Sequence, residues 1–145
     1  KVRAQYEALR YQKGVREIGR VNHQQIALEM MSAGVWAYPG IFAETGCLNA
    51  LKARAAGCVP VCAPYAALAE TAACPQTQFV ELPVEQNQQG VRLVEFDAEA
   101  YKKRFLEAIE KAVATSDGAR EEMARNAIRD HELAAVLPKW ERLLK

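Results

Sequence analysis

No stretch of these 145 residues approaches the roughly 18–20 consecutive apolar positions that a membrane-spanning helix needs. The first residues read as helix rather than as a secretion leader. Charge of one sign is lacking too. Lys and Arg total 19 against 18 Asp and Glu, interspersed along the chain, for a formal net charge of +1. Without a basic face, neither nucleic acid nor an acidic membrane surface is an expected partner. The four cysteines (Cys47, Cys58, Cys62 and Cys74) form no CxxC pair and have no cluster of histidines beside them. Zinc-ligand spacing is therefore absent, and no metal site is expected. Cys58 and Cys62 flank Val59-Pro60-Val61, a run with the character of a buried strand. Reduced core thiols are expected rather than two disulfides, and with them a cytoplasmic location.

What is present is a globular composition, 50% apolar and 26% charged, long enough for one domain with a core. Residues 1–12 carry Val2, Tyr6 and Leu9 at helical spacing and stop before Gly14. Val15-Arg16-Glu17-Ile18 alternates like a short strand. Asn22 is placed to cap a helix running through Ile26, Met30 and Met31 to Gly34. Val35 to Tyr38 reads as a strand, Cys47 to Ala56 as a helix ending at Gly57, and Cys58 to Ala63 as a further strand. A short helix follows near Ala66 to Ala72. Two short strands, Phe79–Leu82 and Val91–Val94, flank a polar Gln/Asn loop. From Asp97 a helix sets Tyr101, Phe105, Ile109 and Val113 in an apolar stripe. A second covers Asp117 to Asp130, and a last one carries Trp140, Leu143 and Leu144, with Pro138 better suited to its first turn than its interior.

Strands alternating with helices of this length predict an α/β domain, a Rossmann-like parallel sheet with helices on both faces. Such sheets bind ligands at the carboxyl ends of their strands. That directs attention to the loops after Ile18, Tyr38 and Ala63. The second of these, Pro39 to Gly46, runs straight into a helix. Backbone N–H groups at a helix start, with the helix dipole behind them, hold a phosphate without a basic side chain. Glu44 stands just ahead of those amides. A carboxylate there is suited to accept hydrogen bonds from something neutral and hydroxylated, such as a sugar attached to the phosphate. Spacing alone favours Glu44 as an acidic first-turn residue of its helix and also allows Gly46 to be only a turn residue.

The stretch Val35 to Thr71 is similar to the signature of the group-1 family of retaining glycosyltransferases with the GT-B fold. The matching residues are Trp36-Ala37-Tyr38-Pro39, Glu44-Thr45-Gly46-Cys47-Leu48, Ala55-Ala56-Gly57-Cys58-Val59-Pro60-Val61 and Ala66-Ala67-Leu68-Ala69-Glu70-Thr71, with Gly19-Arg20-Val21 earlier. The correspondence spans roughly residues 15–130 and keeps its order throughout. It implies the carboxyl-terminal, donor-binding half of an enzyme that transfers a sugar from a nucleotide diphosphate sugar, with retention at the anomeric carbon. The acceptor is not specified, and no cofactor beyond the donor is implied. Glu44 would contact the sugar hydroxyls and act as the catalytic residue. Thr45, Gly46, Cys47 and Leu48 would hold sugar and diphosphate, and Gly19, Arg20 and Val21 would line the base pocket.

The family places a second Glu eight residues after the first, on the ribose. Here Lys52 stands there, a donor that cannot accept a hydrogen bond. It is placed with the donor-binding residues, with a surface role as the alternative. The resemblance further implies that residues 1–132 form a donor domain lacking its first two strands. Residues 133–145 would form a helix packing towards an amino-terminal domain that the chain does not contain. By itself the chain is then expected to transfer nothing. Two other functions stay open: a degenerate donor domain kept for binding or assembly, as Lys52 suggests, and an epimerase or phosphorylase sharing the fold. His23 and His131 read as surface and helix-end residues, and the Trp140 stripe as packing.

Overall fold

In the computed structural model, the structure describes residues 2–82, 84–87, 90–93 and 96–143. The chain is α/β. Helix α1 (Val2–Arg10) and α2 (His23–Ser32) precede strand β1 (Val35–Tyr38). Then follow α3 (Leu48–Ala55), β2 (Val59–Cys62), the single turn α4 (Leu68–Thr71) and β3 (Gln78–Phe79). A hairpin, β4 (Val84–Asn87) and β5 (Gly90–Leu93), leads to α5 (Ala98–Val113), α6 (Asp117–His131) and α7 (Leu133–Leu143). Strands β1, β2 and β3 lie side by side in that order, all parallel.

Period-two alternation on β2 builds the interior. Val59, Val61 and Ala63 pack with Tyr101, Phe105, Ala108 and Ala112 of α5 and Met123 of α6. On the other side, Cys62 joins Cys47, Ala50, Leu68 and Ala72, while Cys58 joins Met30 and Ala53. The cysteines are all free, three of them buried, as expected of core thiols. Burial pushes the Cys62 thiol up to about 12, so it stays neutral. A proline in a central strand removes a ladder donor, and Pro60 escapes the penalty by its phase. Val59 N–H donates to the Gly34 carbonyl on the β1 side. The next donor position therefore points the other way, where β3 begins only opposite Val61.

Helix starts follow their caps. Asn22 Oδ1 accepts from Gln25 N–H at 2.8 Å, as its sequence position predicts. Asp97 Oδ1 accepts from both Glu99 and Ala100 N–H at 3.0 Å. Gly57 ends α3 with φ +79, a left-handed backbone that costs a side chain energy.

Five expectations are corrected. Residues 15–18 form no strand. Among the described residues no strand flanks the side of β1 away from β2, so nothing there completes a ladder for them. Side-chain ties hold the segment instead, from Arg10 and Tyr6 to Glu17 and from Arg16 to Glu29. Part of the expected polar loop is a strand, since β4 pairs antiparallel with β5, and the chain therefore carries a small second sheet that is not parallel. Leu82 and Val80 are buried but lie beyond the two paired residues of β3; Val94 lies outside the described residues. On α5 the buried stripe runs Tyr101, Phe105, Ala108, Ala112, leaving Val113 69% exposed. Pro138 sits inside α7, where its missing N–H removes the helical donor to the carbonyl four residues earlier. On α7, Trp140 is 58% exposed, and among the described residues no residue of that helix is buried.

Two arginines differ in kind. Arg120 of α6 donates from Nε to the Gly57 carbonyl at 2.9 Å and from a terminal nitrogen to the Ala33 carbonyl at 3.1 Å. It thereby ties α6 to the ends of α2 and α3. Arg54 is buried, bonds the Thr71 carbonyl at 3.1 Å, and leaves its Nε without a partner among the described residues. Its desolvated charge brings little net gain. We expect Arg120→Met to cost about 2 kcal/mol by removing the guanidinium bonds to two carbonyls, and Arg54→Met to be neutral or stabilising, as chemical denaturation would show. An Arg54→Met loss equal to that of Arg120→Met would refute the contrast.

Candidate functional site

The loop joining β1 to α3 is shaped by β1's last residue. Trp36 and Tyr38 point to one face of the strand and stack, with ring centroids 5.3 Å apart and planes 3° from parallel. The chain then folds back over the Tyr38 ring at Gly40. A Cβ at that position would stand 2.6 Å from the ring's Cζ, so the close approach requires glycine. The turn returns Glu44 to Tyr38, whose hydroxyl donates to Glu44 Oε1 at 2.8 Å. The backbone of Glu44 is also fixed: its carbonyl accepts from Ala67 N–H at 3.0 Å, linking the loop after β1 to the loop after β2. Beside that contact Ala66 holds φ +51, a strained backbone for a residue with a Cβ.

Helix α3 begins four residues after Glu44 and has no side-chain cap. Cys47 occupies the cap position without a capping bond. Leu48 N–H bonds the Gly46 carbonyl and Ala50 N–H the Cys47 carbonyl, both at 3.1 Å. Asn49 N–H makes no hydrogen bond among the described residues. Thr45, Gly46 and Leu48 are exposed, and Cys47 is buried. A Cβ added at Gly46 would meet nothing within 4 Å, so the protein's own packing does not demand glycine there. The half-buried Glu44 carboxylate, with one oxygen held by a phenol and the other unbonded among the described residues, thus sits at the head of a bare helix start. This arrangement can offer an acceptor to a hydroxyl and amide donors to an anion, side by side.

The other expected site residues lie apart from this pairing. Arg20 is exposed, Val21 is half-buried, and Gly19 precedes them in the connection between α1 and α2. Lys52 is exposed on the second turn of α3 and shares a groove of about 310 Å³ with His23, Ile26 and Met30 of α2. Among the described residues neither Arg20 nor Lys52 forms a hydrogen bond or ion pair with Glu44. His23 and His131 are exposed at the start of α2 and the end of α6.

Tyr38, Trp36 and Gly40 join the site although no motif in the sequence marks them as site residues. The available signal was a pair of aromatics two apart on a strand, followed by a glycine two further on. Together these specify a chain reversal over a ring.

The bond to Glu44 pushes the Tyr38 phenol above its ordinary 10.0, with burial and the carboxylate's charge adding to the effect. Because the folded value is raised, the pairing contributes fully below pH 10 and is lost as pH climbs through the folded value. A tyrosine titration of wild type minus Tyr38→Phe should therefore isolate a phenol ionising above the ordinary value. At neutral pH the substitution should cost about 1 kcal/mol. A difference curve centred at or below the ordinary value would contradict the bond.

No family model matches the chain, and no curated protein or solved structure matches it either.

Proposed function

We propose that this domain binds a nucleotide diphosphate sugar and serves as the donor half of a retaining glycosyltransferase. The observation that carries the reading is Glu44, oriented by Tyr38 at the carboxyl end of a parallel sheet and just ahead of an uncapped helix. In this role the carboxylate accepts hydrogen bonds from the donor's sugar hydroxyls through the oxygen that Tyr38 leaves open. The backbone from Gly46 to Asn49 faces the diphosphate. As the bond from the anomeric carbon to the diphosphate breaks, negative charge grows on the leaving group, and amides and helix dipole already in place stabilise it. The exposed bare backbone of Gly46 suits such close approach.

Gly19, Arg20 and Val21 lie before α2, and Lys52 opens onto the groove beside that helix. In the proposal they take the nucleoside. The base, sugar and acceptor are left unassigned, and a second domain supplies the acceptor wall. One observation favours a binding-only module instead: Lys52 makes no bond to Glu44 and stands where an acceptor for ribose is required.

In the intact protein, Glu44→Gln should retain nucleoside diphosphate affinity while lowering turnover at least tenfold, roughly 1.4 kcal/mol in the barrier. Unchanged turnover at saturating donor would remove Glu44 from the mechanism. Diphosphate binding with no transfer or donor hydrolysis would select the binding module. Separately, Lys52→Ala should raise KM with little change in kcat, because it touches donor and transition state alike. Unaltered donor binding would place Lys52 on the surface.

A further inference from the structure

The parallel sheet has a free edge at β1, and the ladder on its other side fixes which groups face outward. Val59 N–H donates to the Gly34 carbonyl, so even-numbered residues of this segment turn their backbone groups to β2. Val35 and Ala37 therefore direct N–H and C=O away from β2. Among the described residues no strand lies there and no hydrogen bond reaches them. An open row of this kind is a template for a further strand.

A segment of the chain stands opposite that row. Arg16 and Ile18 line a cavity of about 380 Å³ together with Val35, Trp36, Met30 and Cys58. Residues 15–18 alternate as a strand does. Among the described residues their backbone makes only the turn bond from Val15 N–H to the Gln12 carbonyl, at 3.0 Å. What holds them lies at the surface. Glu17 meets Arg10 at 2.5 Å and the Tyr6 hydroxyl at 2.6 Å, and Arg16, its side chain 71% exposed, pairs with Glu29. Exposed pairs of this kind contribute little. Handedness favours the edge as well. Helix α3 joins β1 to β2 across one face of the sheet, and Met30 of α2 packs with Ala53 of α3 and Cys58 on that face. A strand at 15–18, joined through α2 to the outer edge of β1, thus repeats the crossover already present.

We propose that residues 15–18 are a strap that closes onto the free edge of β1 as a fourth parallel strand. With Glu17 opposite Ala37, Ala37 N–H donates to the Arg16 carbonyl and Ile18 N–H to the Ala37 carbonyl. Two residues earlier, Val35 N–H donates to the Gly14 carbonyl and Arg16 N–H to the Val35 carbonyl. This register keeps Arg16 and Ile18 on the Trp36 side, where they already line the cavity. Closure carries Gly19, Arg20 and Val21 to the carboxyl edge of the sheet, next to the loop after Tyr38. This last step rests on the donor-site reading, in which residues now apart from Glu44 come to its side.

The test is cross-linking with dibromobimane, a short reagent for paired thiols, after Cys74→Ser removes the one native thiol that is not buried. Glu17→Cys with Ala37→Cys should cross-link within one chain. A control pair, Arg16→Cys with Ala37→Cys in a Glu17→Ser chain, puts the thiols on opposite faces and should yield at least about fivefold less. Adding Ile18→Pro to the first pair removes a ladder donor and should lower its yield at least about fivefold. The strap is overturned if the first pair does not cross-link, if the control pair reacts as well, or if Ile18→Pro changes nothing. Products joined only between chains would assign the edge to a second copy and overturn it equally. The link to the donor site is read separately, by titrating uridine diphosphate and adenosine diphosphate. The cross-linked chain should bind one of them at least about threefold more tightly than the same chain before cross-linking. Equal binding overturns that link. A cross-link with no binding in either form keeps the strap and removes the donor-site reading.

Discussion

The constraint on which the rest depends is the burial of β2 on both faces. Its four residues are fully enclosed, which no two-layer arrangement with one solvated sheet face can achieve. Odd positions require the aromatic and alanine stripe of α5, and even positions require α3 and its neighbours. With strand and helices so placed, Gly57 must reverse the chain tightly between α3 and β2. Arg120 then finds both the Gly57 and Ala33 carbonyls within reach of one guanidinium. A planar fork of donors can bridge two chain ends in a way that a lysine point charge cannot.

The loops at the carboxyl ends of the strands inherit their positions from this core. In β1 and β2, Tyr38 lies opposite Cys62, so the segments leaving these strands start side by side. The Ala67–Glu44 backbone bond joins them a few residues later. Strain is present at this junction, in the left-handed Ala66, and a deformation of that kind persists only where the surroundings over-determine it. The site geometry around Glu44 is therefore built from rigid strand ends, a stacked aromatic pair and a glycine crossing, with the polar groups added last. A half-buried carboxylate placed this way gains one firm donor and, among the described residues, keeps its other oxygen unbonded.

Both faces of the Pro39–Gly46 segment line usable space. On one side stands the Glu44 pairing at the start of α3; on the other, an aromatic cavity against α5. A short loop held at Tyr38, at Gly40 and through Glu44 to Ala67 has little freedom to respond to one side without the other.

Much of this architecture was legible in the sequence because local chemistry decided it. Asn22 caps, Gly57 terminates, the short β-branched and aromatic runs of β1 and β2 are bounded by glycine and proline, and α5 carries a helical apolar period. Glu44 before a helix start was legible for the same reason. Other features required partners distant in sequence. Residues 15–18 alternate as a strand does, yet strands exist only through a neighbour's ladder, and among the described residues none lies there. Residues 84–87 look like loop, yet β5 gives them a ladder. Val113 and Ala112 are both compatible with the α5 stripe, and only the direction of approach to β2 chose the alanine. The same holds at the site. The sequence determined that a carboxylate would precede a bare helix start. Only the tertiary structure decided that a tyrosine six residues earlier would hold it, because a hydrogen bond between side chains depends on how the intervening chain closes, and here that closure depends on one glycine passing over one ring.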